Sequence, residues 1–153
     1  MNTQYGNVLN ISSGIVVHGC NAQCQMNSGI AGEIHQRFPS VFNEYAKVYK
    51  EEGLNLGSVI FCSPFAKEKR GFWVANGITQ EFYGRDPHTV YVDYTAVRQV
   101  FRTVYEHAKK LNLDVHFPKI GAGLANGSWD VISIIIEEEL KDVPHSLWLL
   151  SPP

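Results

Sequence analysis

The sequence predicts an α/β sandwich whose sheet is largely parallel or mixed. Three observations carry that prediction. Short runs rich in β-branched residues alternate with stretches of helical periodicity along the chain. Two of these runs end in glycine-rich loops that lead into helices. No period of 20–50 residues repeats and no stretch is of low complexity, so residues 1–153 read as a single domain.

The elements follow in order. Ile15 to Cys20 (IVVHGC) is a β-branched run suited to a buried strand. Residues 28–50 carry helical patterning with a break at Phe38-Pro39, where proline fits the first turn of a second helix. Gly57 to Ser63 and Phe72 to Thr79 read as two strands joined by a polar turn, Lys67-Glu68-Lys69-Arg70-Gly71. Val97, Val100, Phe101, Val104, Ala108 and Leu111 recur at helical spacing, with Asp93 placed to cap the start. Val115 to Pro118 is a short strand after the turn Asn112-Leu113-Asp114. Ser128 is placed to cap a helix that buries Ile132, Ile135, Ile136 and Leu140, with Asp130 in its first turn. Ser146 to Leu150 is a terminal strand.

Composition narrows the function. Hydrophobic residues make up 44% of the 153 and can build a core, while charged residues make up only 18%. That is below the roughly 25% usual for soluble domains. The formal charge of −2 argues against a broad nucleic-acid surface. No apolar run is long enough to span a bilayer, so no membrane partner is expected. The start, MNTQYGNVLN, lacks the basic and apolar regions of a secretory signal. Three cysteines make no disulfide framework, and a cytoplasmic location is the simpler reading.

Two segments carry the chemistry. Val17 to Gln23, followed by Met26 to Gly32, ends a strand in small residues before a helix, and Phe117 to Trp129 does the same. In each, the backbone can approach a ligand closely and a helix N-terminus offers free N–H groups. Neither loop matches G-x-x-x-x-G-K-[ST], nor G-x-G-x-x-G with its acidic residue. Ordinary turn punctuation explains either loop alone. Both at the C-terminal ends of strands is where ligands bind in open α/β sheets.

Taken together, HGCNAQ, MNSGIAGEI, RFP, GSV, VANGITQEFYG and FPKIGAGLANGSWDVISIIIEEEL resemble the macrodomain family of ADP-ribose-binding modules. The likeness runs from Tyr5 to Leu150 and is nearest to the ADP-ribose-1″-phosphate phosphatase or processing subgroup, common in bacteria and phages. It implies a three-layer α/β/α sandwich with a central mixed, mostly parallel sheet. It also implies a small-molecule ligand, ADP-ribose or ADP-ribose 1″-phosphate, and ADP-ribosylated macromolecules as further partners. No cofactor is implied.

Residue roles follow from the same resemblance. Asn7, before Val8, stands where the family has an aspartate bonded to the adenine amine; the alternative is a turn residue. Asn21 matches the asparagine that binds the distal ribose, or else it stabilises its own loop. Gly29, Ile30 and Ala31 match the loop meeting the diphosphate and distal ribose, and Gly121, Ala122, Gly123 and Leu124 match the loop on its other side. Gln80, Tyr83 and Arg85 line the distal end in this reading, with a surface pair to Asp86 as the plainer use of Arg85.

His18 is the titratable candidate. The resemblance implies a catalytic part for it, as acid or water-orienting group, and the alternative is a core histidine bonded to a neighbour. Asp130 has a sufficient structural reason in its helix's first turn, and Trp129 reads as a core anchor. His18, Cys20 and Cys24 are too irregularly spaced for zinc and lack a fourth ligand, so no metal is expected. Cys62 reads as a small buried hydrophobe.

The family's lysine-based and paired-acid routes have no counterpart here. Gln80 and Ala125 stand near the expected lysine and aspartate, and Gln25, Met26 and Asn27 are neutral. The enzyme reading is therefore phosphate removal from ADP-ribose 1″-phosphate. Hydrolysis of ADP-ribosyl or O-acetyl-ADP-ribose linkages is a second reading, and a non-catalytic ADP-ribose reader a third.

Overall fold

Residues 1–65 and 71–152 are described by a computed structural model. Among them, six strands form one sheet in the order β1-β6-β5-β2-β4-β3. The strands are β1 (Asn2–Tyr5), β2 (Ile15–Asn21), β3 (Val59–Cys62), β4 (Trp73–Gln80), β5 (Val115–Phe117) and β6 (His145–Leu149). Every pairing is parallel except β3 with β4. The mixed, mostly parallel sheet is thus as expected.

Helices cover both faces. On one side lie α1 (Gly29–Arg37) and α2 (Pro39–Glu52), with Ile34 and Val41 packed on Val16 and Val74 of the sheet. On the other lie α3 (Tyr94–Leu111) and α4 (Trp129–Leu140), which pack Val97, Phe101, Ile132 and Ile136 on Ile15, Val17 and Phe117. Burial of such side chains contributes roughly 1.5–3 kcal/mol each. The sixth apolar position predicted for α3, Leu111, turns to solvent at the last turn, and Trp129 is half-buried against the core.

Local chemistry sets the boundaries. Pro39 opens α2, and Asp93 accepts from the Ala96 N–H to cap α3. Ser128 caps α4 through the Val131 N–H. Asn112 ends α3 in the left-handed region, which asparagine tolerates. Cys62 is buried in β3. Of the predicted turn Lys67 to Gly71, residues 67–70 lie outside the described residues. The unforeseen element is β1, whose four residues are all exposed and which exists through its pairing with β6.

The topology fixes where a ligand can sit. From β2 the chain moves by α1 and α2 toward β3 and β4, whereas from β5 it moves by α4 toward β6 on the other side. β2 and β5 are adjacent, so the two connections diverge from neighbouring strands and leave a crevice at their C-terminal ends.

Candidate functional site

The crevice is a continuous cavity in two parts, of about 670 and 560 Å³. Gly19, Gly29, Ile30, Gln80, Gly121 and Gly123 line both parts. Both glycine loops therefore meet there, as their places after β2 and β5 predicted. The larger part adds Asn21, Gln25, Ala31, Tyr83, Arg85 and Leu124. The smaller adds Asn7, Val8, Glu33, Lys119 and Trp148.

Gly121 shows why glycine stands at the turn. Its φ is +73°, and a Cβ there would lie 2.7 Å from Val92 Cγ2 and 3.0 Å from Ile132 Cδ1. Both backbone freedom and lack of a side chain are needed. At Gly19 the requirement is space alone, since a Cβ would lie 2.7 Å from Thr79 Oγ1.

The two helix starts differ. At α1 the N-cap Ser28 makes no side-chain hydrogen bond, and Gly29, Ile30 and Ala31 line the cavity. The first N–H groups of a helix have no intrahelical acceptor, so this end offers donors and a positive dipole to an anion. At α4 the Ser128 hydroxyl takes the Val131 N–H, and the helix's first residues do not line the cavity. The expectation of two exposed helix ends is corrected accordingly. The second loop contributes through Gly121, Gly123 and Leu124 instead. Ala122, predicted with them, does not line the cavity, and its N–H turns back to Lys119 O at 3.4 Å.

Asn21 lines the larger part and is almost fully used by its own loop. Its Oδ1 accepts from the N–H groups of Gln23 at 3.0 Å and Gln25 at 3.3 Å, and its Nδ2 donates to Gln25 O at 3.0 Å. The buried Tyr45 hydroxyl donates to the Asn21 carbonyl. One Nδ2 proton is left for a ligand. Gln80 lines both parts, and its Nε2 donates to Phe82 O at 2.7 Å.

His18 does not reach the cavity. It is fully buried on the α1–α2 side of β2, sharing that face with Val16 and Cys20. Its Nε2 donates to Asn76 Oδ1 at 2.6 Å across the β2–β4 pair. Burial lowers its pKa to about 4, with the Asn76 bond opposing the shift. This is the placement given as the alternative for His18, a core histidine bonded to a neighbour, and the ring is not among the residues lining the cavity. Nearby, burial pushes the Cys20 thiol up, away from reactivity. Among the described residues no three His, Cys, Asp or Glu side chains converge on a metal-sized site.

Arg85 lines the larger part and forms no ion pair among the described residues. Asp86 is occupied otherwise, accepting from His88 N at 2.9 Å and Thr89 Oγ1 at 2.9 Å. Asn126 ties this segment to the second loop, donating to Asp86 O at 2.9 Å and Thr89 O at 2.7 Å. Asp130 sits exposed at the start of α4, away from the cavity. Glu33, Lys119 and Trp148 were missed from sequence; Glu33 and Trp148 looked like ordinary members of a helix and a strand.

Comparison with known proteins sets this geometry in context. The sequence model described as Macro domain matches residues 17–136. A 17.5 kDa uncharacterized protein of Enterobacteria phage T4 is 29% identical over 126 residues, covering 80% of this chain and 77% of its own length. A structure of unknown function from Bacteroides thetaiotaomicron superposes with a TM-score of 0.85 at 28% identity, covering 96% of both chains. Thermosipho africanus DarTG in complex with ADP-ribose gives a TM-score of 0.71 at 18% identity, covering 91% of this chain and 39% of that one.

Proposed function

Because the chain belongs to the macro domain family, we propose that its cavity binds ADP-ribose and that ADP-ribose 1″-phosphate is the form it hydrolyses. The observation that carries the reading is the uncapped start of α1 facing the second glycine loop across the crevice between β2 and β5. Paired loop amides supply the donors a diphosphate needs, without a basic patch. That suits a chain of net charge −2. In this reading the base lies beside Trp148 in the smaller part and the distal ribose beside Asn21 in the larger. Homologous macrodomains bind ADP-ribose, and the DarTG structure similar in fold carries it.

Recognition of a terminal phosphate falls to Arg85, the cation among the residues lining the distal part. Its guanidinium and the loop N–H groups neutralise the phosphate and stabilise charge as a water attacks phosphorus. The P–O bond to the anomeric oxygen breaks, and the products are ADP-ribose and inorganic phosphate. His18 takes no part.

A second reading, a reader without turnover, is favoured by one observation. The residues lining the distal part include no carboxylate and no histidine to act as general base. Phosphate release from ADP-ribose 1″-phosphate separates the two. Release that falls in Arg85→Ala supports the phosphatase. Binding of ADP-ribose with no release selects the reader, and no binding at millimolar ligand overturns both.

A further inference from the structure

The smaller part of the cavity holds a carboxylate with no role so far. Glu33, on α1, lines it beside Asn7 and Val8. Asn7 Nδ2 donates to Glu33 Oε1 at 2.7 Å, while Asn7 Oδ1 accepts from Leu9 N at 2.9 Å and caps the short turn Val8–Asn10. The amide is held from both ends, with its oxygen committed to the backbone and its nitrogen to the carboxylate. Arg37 Nη1 donates to the same Oε1 at 3.2 Å from the solvent side. Oε2 has no partner among the described residues and can only accept. On another wall stands Trp148, whose Nε1 donates to His116 Nδ1 at 2.9 Å and so fixes the indole.

An indole beside a fixed acceptor is a site for a flat heterocycle that bears a donor on its edge. We propose that Glu33 selects the nucleobase, accepting through Oε2 from the exocyclic 6-amino group of adenine, with Asn7 as its positioning residue. The inference rests on the reading that the cavity holds ADP-ribose with its base beside Trp148. It moves to Glu33 the contact that the family resemblance implied for Asn7, whose oxygen is spent on Leu9. A 6-oxo purine would bring an oxygen against the carboxylate, leaving two acceptors opposed and desolvated. The base site therefore discriminates adenine from hypoxanthine by one atom.

Calorimetric titration with ADP-ribose and with its hypoxanthine counterpart, inosine diphosphate ribose, tests this. Wild type should bind ADP-ribose about tenfold more tightly or better, the least that one charge-assisted hydrogen bond gives. In Glu33→Gln the preference for adenine should be lost or reversed, because the new amide oxygen stays on Asn7 Nδ2 and its NH2 then faces the base. Arg37→Ala, which keeps the carboxylate and removes only its surface partner, should leave the preference for adenine in place. An unchanged ratio in Glu33→Gln, with ADP-ribose still bound, overturns the role of Glu33 and leaves the cavity reading standing. No binding of ADP-ribose to wild type overturns that reading, and the role of Glu33 falls with it.

Discussion

The two glycine loops look alike in sequence and do different work. After β2 the chain enters α1 with its N-cap hydroxyl unused and its first N–H groups on the cavity wall. After β5 it makes a tight turn at Gly121, and Ser128 then closes the start of α4. The difference shows that a glycine loop before a helix presents free N–H groups only where the cap leaves the helix end open. The second loop brings its backbone to the facing wall for lack of side chains, without a second open helix end.

The sharpest break of that contrast is at the two positive-φ glycines. Gly121→Ala combines left-handed strain with overpacking against Val92 and Ile132, and should cost roughly 2–5 kcal/mol of stability. Gly29→Ala, with φ +58° and nothing within 4 Å of a Cβ, should cost only about 1–2 kcal/mol. Chemical denaturation of the two variants measures the gap. Equal losses would mean that the loops are built alike.

The next effect concerns pH. His18 has a folded pKa of about 4 against an ordinary 6.5, so the unfolded chain binds more protons between those values. Its contribution is present above pH 6.5 and is lost as pH falls toward 4. The total is on the order of 3 kcal/mol. His107 and His116 are lowered in the same direction, also by burial. An NMR titration isolates His18, whose imidazole signals should stay those of the neutral ring down to about pH 5. An inflection of those signals near 6.5 would restore an exposed, protonatable His18.

Asn21→Ala removes the side-chain bonds that hold the loop from Gln23 to Gln25, at about 1–3 kcal/mol. Affinity for ADP-ribose should fall with it, since the same loop borders the distal part. Unchanged stability would show that the loop holds its shape without Asn21. The smallest effects are at the caps. Ser128→Ala should cost about 1 kcal/mol and leave ligand affinity alone, whereas Ser28→Ala should cost almost nothing. Thermal melts of the pair, with and without ADP-ribose, check this.

Much of the fold was legible in the sequence because periodicity and capping agreed. The apolar spacing from Val97 to Ala108 and the caps Asp93 and Ser128 mark α3 and α4 at their true starts. β1 was not legible, because Asn2 to Tyr5 carry no alternation and owe their form to β6. The site was legible in its main-chain parts, since Gly29 to Ala31 and Gly121 to Leu124 border the cavity apart from Ala122. Its side chains were harder to read. A strand buried on both faces gives no polar face, so nothing local told which way His18 points. Asn7 and Glu33 are 26 residues apart, and only folding brings the amide to the carboxylate.

In the proposed complex the open end of α1, and not that of α4, meets the diphosphate. Backbone amide NMR during titration with ADP-ribose tests it residue by residue. Binding there gives large shifts at Gly29, Ile30 and Ala31, with Gly121, Gly123 and Leu124 moving in step, and little change at Trp129 to Val131. Shifts centred on Trp129 to Val131, with the α1 amides still, would contradict it.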